Sequence, residues 1–278
     1  MSNGCSGNCG SDAACEGCGS APVSREELYQ PTHGLNEIGK VIGVVSGKGG
    51  VGKSLVSALL AVALRRKGYK VGILDADITG PSIPRMFGIT KQAVQTEEGV
   101  YPQKTHNDIA VMSINLLLED EEAPVIWRGP VIGDVVRQFW TDVIWEDLDF
   151  LILDMPPGTG DVPLTVFQTI KLDGVILVSS PQELVNMVVK KAYNMARMME
   201  VPVLGVIENM SYYLCKGCGG KAELFGQSKA DEIAARMDTE VLARIPVDPA
   251  LTRLCDEGGI EKADVDVLEK AVAKLESL

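Results

Sequence analysis

The stretch Gly47-Lys48-Gly49-Gly50-Val51-Gly52-Lys53-Ser54 constrains this chain more than any other, because it has the spacing G-x-x-x-x-G-K-[ST] with the flanks that spacing requires. Before it runs the apolar segment Val41 to Ser46, and after it an apolar, helix-periodic stretch from Leu55 to Lys67. A buried strand, a glycine-rich turn and a helix start make a phosphate cradle. The glycines let successive N–H groups turn inward, and the positive end of the helix adds to the anion site. In this reading residues Gly47 to Leu55 wrap the phosphates, Lys53 reaches the β- and γ-phosphates, and Ser54 ligates Mg2+. Lys48 is additional to the motif, since the turn forms without a lysine there.

Around this centre the rest of the chain reads as one α/β domain. Its 278 residues are 46% hydrophobic, ample for a buried core. From Val41 onward short apolar runs alternate with longer helical patterns, which predicts a mostly parallel, twisted sheet of about seven strands with helices on both faces. The expected strands are 41–46, 71–75, 109–113, 150–154, 174–179, 203–207 and 241–245. The expected helices are 54–67, 131–145, 162–170, 183–199, 228–237 and 264–276, with a further short one at 25–30 and a helical turn at 251–254. Residues 1–37 read as a cysteine-rich extension and linker, and residues 38–278 as the nucleotide-binding domain.

Several classes are disfavoured by charge and patterning. A formal charge of −12 without a basic patch argues against a nucleic-acid or anionic-lipid surface. The groups Arg65-Arg66-Lys67 and Lys190-Lys191 fall inside helical patterns as solvated faces. Residues 1–22 lack the apolar core of a signal peptide and no stretch has the length of a membrane span, so the expected compartment is the cytoplasm.

Carboxylates fall where functional loops leave the strands. Asp75-Ala76-Asp77 follows the second strand and Asp154-Met155-Pro156-Pro157-Gly158 the fourth. Beside a phosphate cradle, Asp154 takes the Mg2+-side role and Asp77 is the candidate for positioning the attacking water. The Gly and Pro residues around both read as two switch loops. Asn209 ends another strand, where its amide either reads adenine or forms a turn.

Cysteines form two groups. Cys5, Cys9, Cys15 and Cys18 lie in a Gly/Ser/Ala-rich segment that cannot build a core, and they offer four thiolates to an iron–sulfur cluster or to zinc. Cys215 and Cys218 form a C-x2-C that suits a redox dithiol, half a zinc site or half a cluster site. Cys255 reads as a packed thiol. The methionines at 187, 195, 198 and 199 read as fillers of core or interface gaps.

Taken together, KGGVGKS, DADITGPSIP, LDMPPGTGD, ENMS followed by the C-x2-C, and IPVDP resemble the Mrp/ApbC family of P-loop ATPases, iron–sulfur cluster carriers of the MinD-like branch. The resemblance covers residues 38–278. It implies an ATPase that uses ATP and Mg2+, holds a labile 4Fe-4S cluster and passes it to apo-proteins. It further implies that Lys48 acts across a homodimer interface, that Asn209 and Pro246-Val247-Asp248 contact adenine, and that Cys215 and Cys218 carry the transferable cluster between two subunits. The amino-terminal cysteines are similar to those of Nbp-type members, which bind a second cluster there, but the spacing differs: Cys5-x3-Cys9 is added upstream and no cysteine follows the close pair after a five-residue gap. The competing reading is a zinc-stabilised MinD- or ParA-like switch ATPase, with Cys15, Cys18, Cys215 and Cys218 as one all-thiolate site.

Overall fold

The computed structural model describes residues 28–78, 80–118, 129–215 and 217–278. In chain order it opens with β1 (Glu37–Ser46), α1 (Lys53–Arg66), β2 (Val71–Asp75) and α2 (Ile83–Met86). The short strands β3 (Val94–Gln95), β4 (Val100–Tyr101) and β5 (Gln103–Lys104) precede β6 (Ala110–Ser113), α3 (Gly129–Thr141), β7 (Asp147–Asp154) and α4 (Asp161–Thr169). There follow β8 (Gly174–Ser179), α5 (Glu183–Met198), β9 (Val203–Glu208) and the hairpin strands β10 (Tyr213–Leu214) and β11 (Lys221–Ala222). The chain closes with α6 (Ala230–Arg236), β12 (Val241–Arg244), α7 (Pro249–Asp256) and α8 (Glu269–Glu276).

One eight-stranded sheet carries the fold, in the order β12-β9-β8-β1-β7-β2-β6-β5. Its first seven strands are parallel, as the continuous apolar runs demand of strands covered on both faces. The eighth, β5, is antiparallel to β6 and was not foreseen, since two residues without an apolar run carry no strand signal. Strands β1 and β7 begin several residues earlier than expected. Their first residues pair with each other, Glu37 with Asp147 and Lys40 with Phe150, but alternate between solvent and core and so break the apolar run.

Helix α1 is buried almost all round, which fits its lack of a polar face, because it lies between the sheet and the carboxyl-terminal helical segments. Leu59, Leu60 and Leu64 are each enclosed, and each such side chain contributes about 1.5–3 kcal/mol on leaving water. The helix expected over 131–145 stops at Thr141. Beyond it, Val143 bridges to Val100, and the Asn36 side-chain oxygen accepts the N–H groups of Trp145 and Glu146, so tertiary partners take the backbone groups that a longer helix would use. The expected last helix is likewise divided into a 3-10 turn at Asp266–Leu268 and α8. Of the helix expected at 25–30, residues 25–27 lie outside the described residues and 28–30 are not helical. Met195 is buried as anticipated, whereas Met198 stands 83% exposed on α5.

The strand order decides what meets at the carboxyl edge. Strand β1, which feeds the glycine-rich turn, has β7 and β2 on one side and β8, β9 and β12 on the other. Loops from these six parallel strands therefore surround a single crevice.

Candidate functional site

On the β7 and β2 side, the cradle is closed by carboxylates. Lys53 Nζ lies 2.8 Å from Asp154 Oδ1 and 3.8 Å from Asp77 Oδ2, and Lys53 is only 5% exposed. Asp154 is fully buried; its second oxygen accepts the Ser54 hydroxyl at 2.6 Å, while Ser57 Oγ donates to Oδ1 at 2.7 Å. An oxygen-rich set at the start of a helix is the chemistry a Mg2+ nucleotide needs. Gly49 and Gly50 have open space where a side chain would stand, so a phosphate chain fits against the backbone.

Asp75 was noted in sequence only as one of two alternating carboxylates, and the structure gives it a distinct place. It pairs in register with Asp154 across β2 and β7 and is completely enclosed. Its Oδ2 accepts the N–H groups of Ser82 and Ile83 and its Oδ1 the N–H of Asp77, which anchors the loop carrying Asp77 at both ends. Burial, and then the neighbouring Asp154 carboxylate, push the Asp75 carboxyl up to about 8. In the D-x-D spacing the first aspartate is still strand and the second already loop. That is why one is enclosed and the other reaches the crevice.

On the β8, β9 and β12 side, Asn209 follows Glu208 at the end of β9. Its Nδ2 donates to the Val51 carbonyl at 2.9 Å and holds the cradle's crest. Gly52 has φ +81°, and a Cβ there would sit 2.1 Å from Asn209 Nδ2, so the close approach and the glycine require each other. Beyond Asn209 the chain reverses through Met210, a non-glycine residue at φ +55°, while Ser211 Oγ donates to buried Glu208 at 2.6 Å. The loop after β12 runs alongside: Ser211 N–H donates to the Ile245 carbonyl, and Val247 N–H to the Tyr212 carbonyl at 2.7 Å. Asp248 caps α7 by accepting the Ala250 N–H. A cavity of about 400 Å³ opens there, lined by Leu59, Tyr212, Ile245, Pro246, Asp248 and Leu251, among others.

Cys215 and Cys218 sit at the tip of the β10–β11 hairpin. The Cys215 N–H donates to the Gly220 carbonyl and the Gly219 N–H to the Cys215 carbonyl, a tight knuckle in which Cys215 is half-buried and Cys218 exposed. The N–H groups of Cys218 and Gly217, and then the Cys218 thiol, lower the Cys215 pKa and favour its thiolate. Among the described residues, no cluster of three or more His, Cys, Asp or Glu side chains is placed to hold a metal ion.

The family model described as the NUBPL iron-transfer P-loop NTPase, of the ParA type, matches residues 37–276. The chain belongs to this family. It is 47% identical to an iron-sulfur cluster carrier protein of Clostridium perfringens over 81% of this chain and 82% of that one. It is 42% identical to a protein of the same description from Methanocaldococcus jannaschii, covering 89% and 88% of the two chains. A nucleotide-binding protein from Archaeoglobus fulgidus, solved in complex with ADP, superposes with a TM-score of 0.77 at 44% identity, over 89% of this chain and 97% of that one. The Pyrococcus furiosus cell-division ATPase MinD, at 22% identity and a TM-score of 0.59, shares the fold.

Within this iron-transfer P-loop NTPase, the structure brings Lys53, Ser54, Asp77 and Asp154 together and puts Asn209 against the cradle. The Pro246–Asp248 segment stands beside the chain that leads into the cysteine hairpin. Lys48 is exposed at the rim. Cys255 lies part-buried on α7, its thiol pushed up by burial and then by Asp256, as fits a packed residue. Cys5, Cys9, Cys15 and Cys18 lie outside the described residues, and no described helix is long and apolar enough to cross a membrane. Sequence reasoning missed the anchoring by Asp75 and the buried Glu208–Ser211 contact. Both depend on which strand ends are neighbours.

Proposed function

We propose that this chain is an ATP-hydrolysing carrier that assembles a 4Fe-4S cluster and hands it to apo-proteins. The observation that carries the reading is the joining, at one sheet edge, of a phosphate cradle and an open two-cysteine hairpin through residues 209–213, where Asn209 holds the Val51 carbonyl and the 245–247 segment runs alongside. The description of its relatives as iron-sulfur cluster carrier proteins supports it.

In this proposal the backbone from Gly47 to Leu55 wraps the triphosphate, with Lys53 moving from its carboxylate partners to the β- and γ-phosphates. Asn209 and Pro246-Val247-Asp248 wall the adenine. Ser54, with Asp154 beside it, holds Mg2+, which when bound neutralises charge on the phosphates. Asp77 orients the attacking water from a loop that Asp75 fixes in place. Catalysis is then mainly positioning and charge stabilisation.

The cargo takes four thiolates, and one hairpin supplies two. A homodimer related by a twofold axis supplies the rest and brings exposed Lys48 of each subunit to its partner's phosphates. The tail cysteines Cys5, Cys9, Cys15 and Cys18 hold a second cluster in the same proposal, and the reduced thiols suit the cytoplasm.

Iron, sulfide and zinc content of anaerobically purified protein, with and without residues 1–22, tests this reading. The shortened protein should carry one 4Fe-4S cluster per two chains, and Cys215→Ala or Cys218→Ala should remove it. Zinc in place of iron, or a cluster that survives both substitutions, would refute it.

A further inference from the structure

The crevice and the hairpin share one residue with a contact on each side. Tyr212 lines the cavity bounded by Pro246 and Asp248, and its carbonyl accepts the Val247 N–H at 2.7 Å, while Tyr213 forms a parallel bridge to Val247. Lys221 Nζ stands 4.4 Å from the centroid of the Tyr212 ring, and Lys221 opens β11 three residues after Cys218. Between these contacts the hairpin has little support of its own, since β10 and β11 contribute two residues each and the tip is largely exposed. A two-residue hairpin is unstable by itself. Its geometry therefore follows what holds its base.

We propose that Tyr212 is a positioning residue that couples nucleotide occupancy to the cysteine hairpin, through its backbone link to Val247 and its ring contact with Lys221. The inference rests on the reading of 246–248 as the adenine wall. A purine ring entering a cavity of this size meets Tyr212 directly and packs beside Pro246 and Asp248, the chain neighbours of Val247, whose N–H is tied to the residue just before the hairpin. The strained turn at Met210 keeps the link short: only Met210 and Ser211 separate Asn209, which holds the cradle, from Tyr212. Nucleotide binding thus orders both ends of one continuous segment, residues 209–213. The cysteines are carried on its continuation.

The test is hydrogen exchange of peptides covering residues 213–222 in the full chain, with and without saturating Mg-ADP, alongside calorimetric ADP affinity and iron content of the same preparations. In the wild type ADP should slow exchange in the hairpin at least about fivefold, the lower end of ordinary coupling between sites. Lys221→Ala should bind ADP as wild type does yet lose about two- to fivefold of that slowing, the worth of an exposed cation–ring contact, and Lys221→Arg should restore it. Tyr212→Phe keeps the ring and should behave as wild type; Tyr212→Ala should lose the coupling. Saturating ADP that leaves hairpin exchange unchanged, or slowing undiminished in both Lys221→Ala and Tyr212→Ala, would overturn the proposal. Iron content separates it from the carrier reading. A protein without iron whose hairpin still responds to ADP keeps the coupling and refutes the carrier, whereas a normal cluster with an unresponsive hairpin does the reverse.

Discussion

On the β7 and β2 side of the P-loop strand, Lys53, Asp75 and Asp154 are enclosed and bonded to one another's surroundings. On the β9 and β12 side the chain leaves the sheet and displays Cys215 and Cys218 on a short hairpin near solvent. The first region is held by the core; the second carries two thiols with few contacts of its own. Charged groups held in a dry setting interact more strongly than the same groups in water. Segments with few buried contacts open most readily in a fold. The contrast is between a rigid edge and a pliant one.

The largest effect should come from breaking the rigid side. Lys53→Ala removes the cation shared by Asp154 and Asp77, and turnover of ATP should fall by at least about 10²–10³-fold while far-ultraviolet circular dichroism keeps the native shape. Hydrolysis at the wild-type rate in a folded variant would remove Lys53 from the mechanism.

A smaller effect sharpens the electrostatic half of the comparison. The Asp75 carboxyl, which ionises near 3.8 in the unfolded chain, is raised to about 8 in the fold. Between those values the native state holds the extra proton, so the stability tied to it is full below the unfolded value and is lost as pH rises through the folded one. Asp75→Asn cannot ionise, so its urea midpoint relative to wild type should rise steadily from pH 4 to pH 8. A constant difference across that range would mean that Asp75 is already ionised in the fold.

The smallest effect lies on the pliant side. Cys215→Ala and Cys218→Ala alter exposed or half-exposed residues that lie outside the hydrophobic core of the described residues, and the thermal midpoint of the metal-free protein should stay within about 2 °C of wild type. A drop of several degrees would make the hairpin part of the scaffold.

Much of this contrast is legible before the chain is folded. The glycine-rich turn, Asp77 and Asp154 announce phosphate chemistry because each follows an apolar run at fixed spacing, and the C-x2-C announces a thiolate pair. Asp75 was legible as a residue but not as an anchor. Its partners, the N–H groups of Ser82 and Ile83, are backbone groups without a side-chain signature. Asn209 could be read as a turn or a base contact, yet its bond to the Val51 carbonyl joins residues 158 positions apart and has no local trace.

By itself, the amino-acid sequence determined the strand–turn–helix cradle, the parallel character of the sheet and the presence of a close pair of thiols. These follow from local spacing, from the apolar runs that two-sided burial requires, and from side-chain identity. Only the tertiary structure decided that β1 lies between the carboxylate strands and the strands leading to the hairpin, that α3 ends at Thr141, and that Tyr212 touches both crevice and hairpin. Those outcomes depend on which strand ends and backbone groups become neighbours. Hydrogen bonds and packing between distant segments select them, and no periodicity along the chain records that choice.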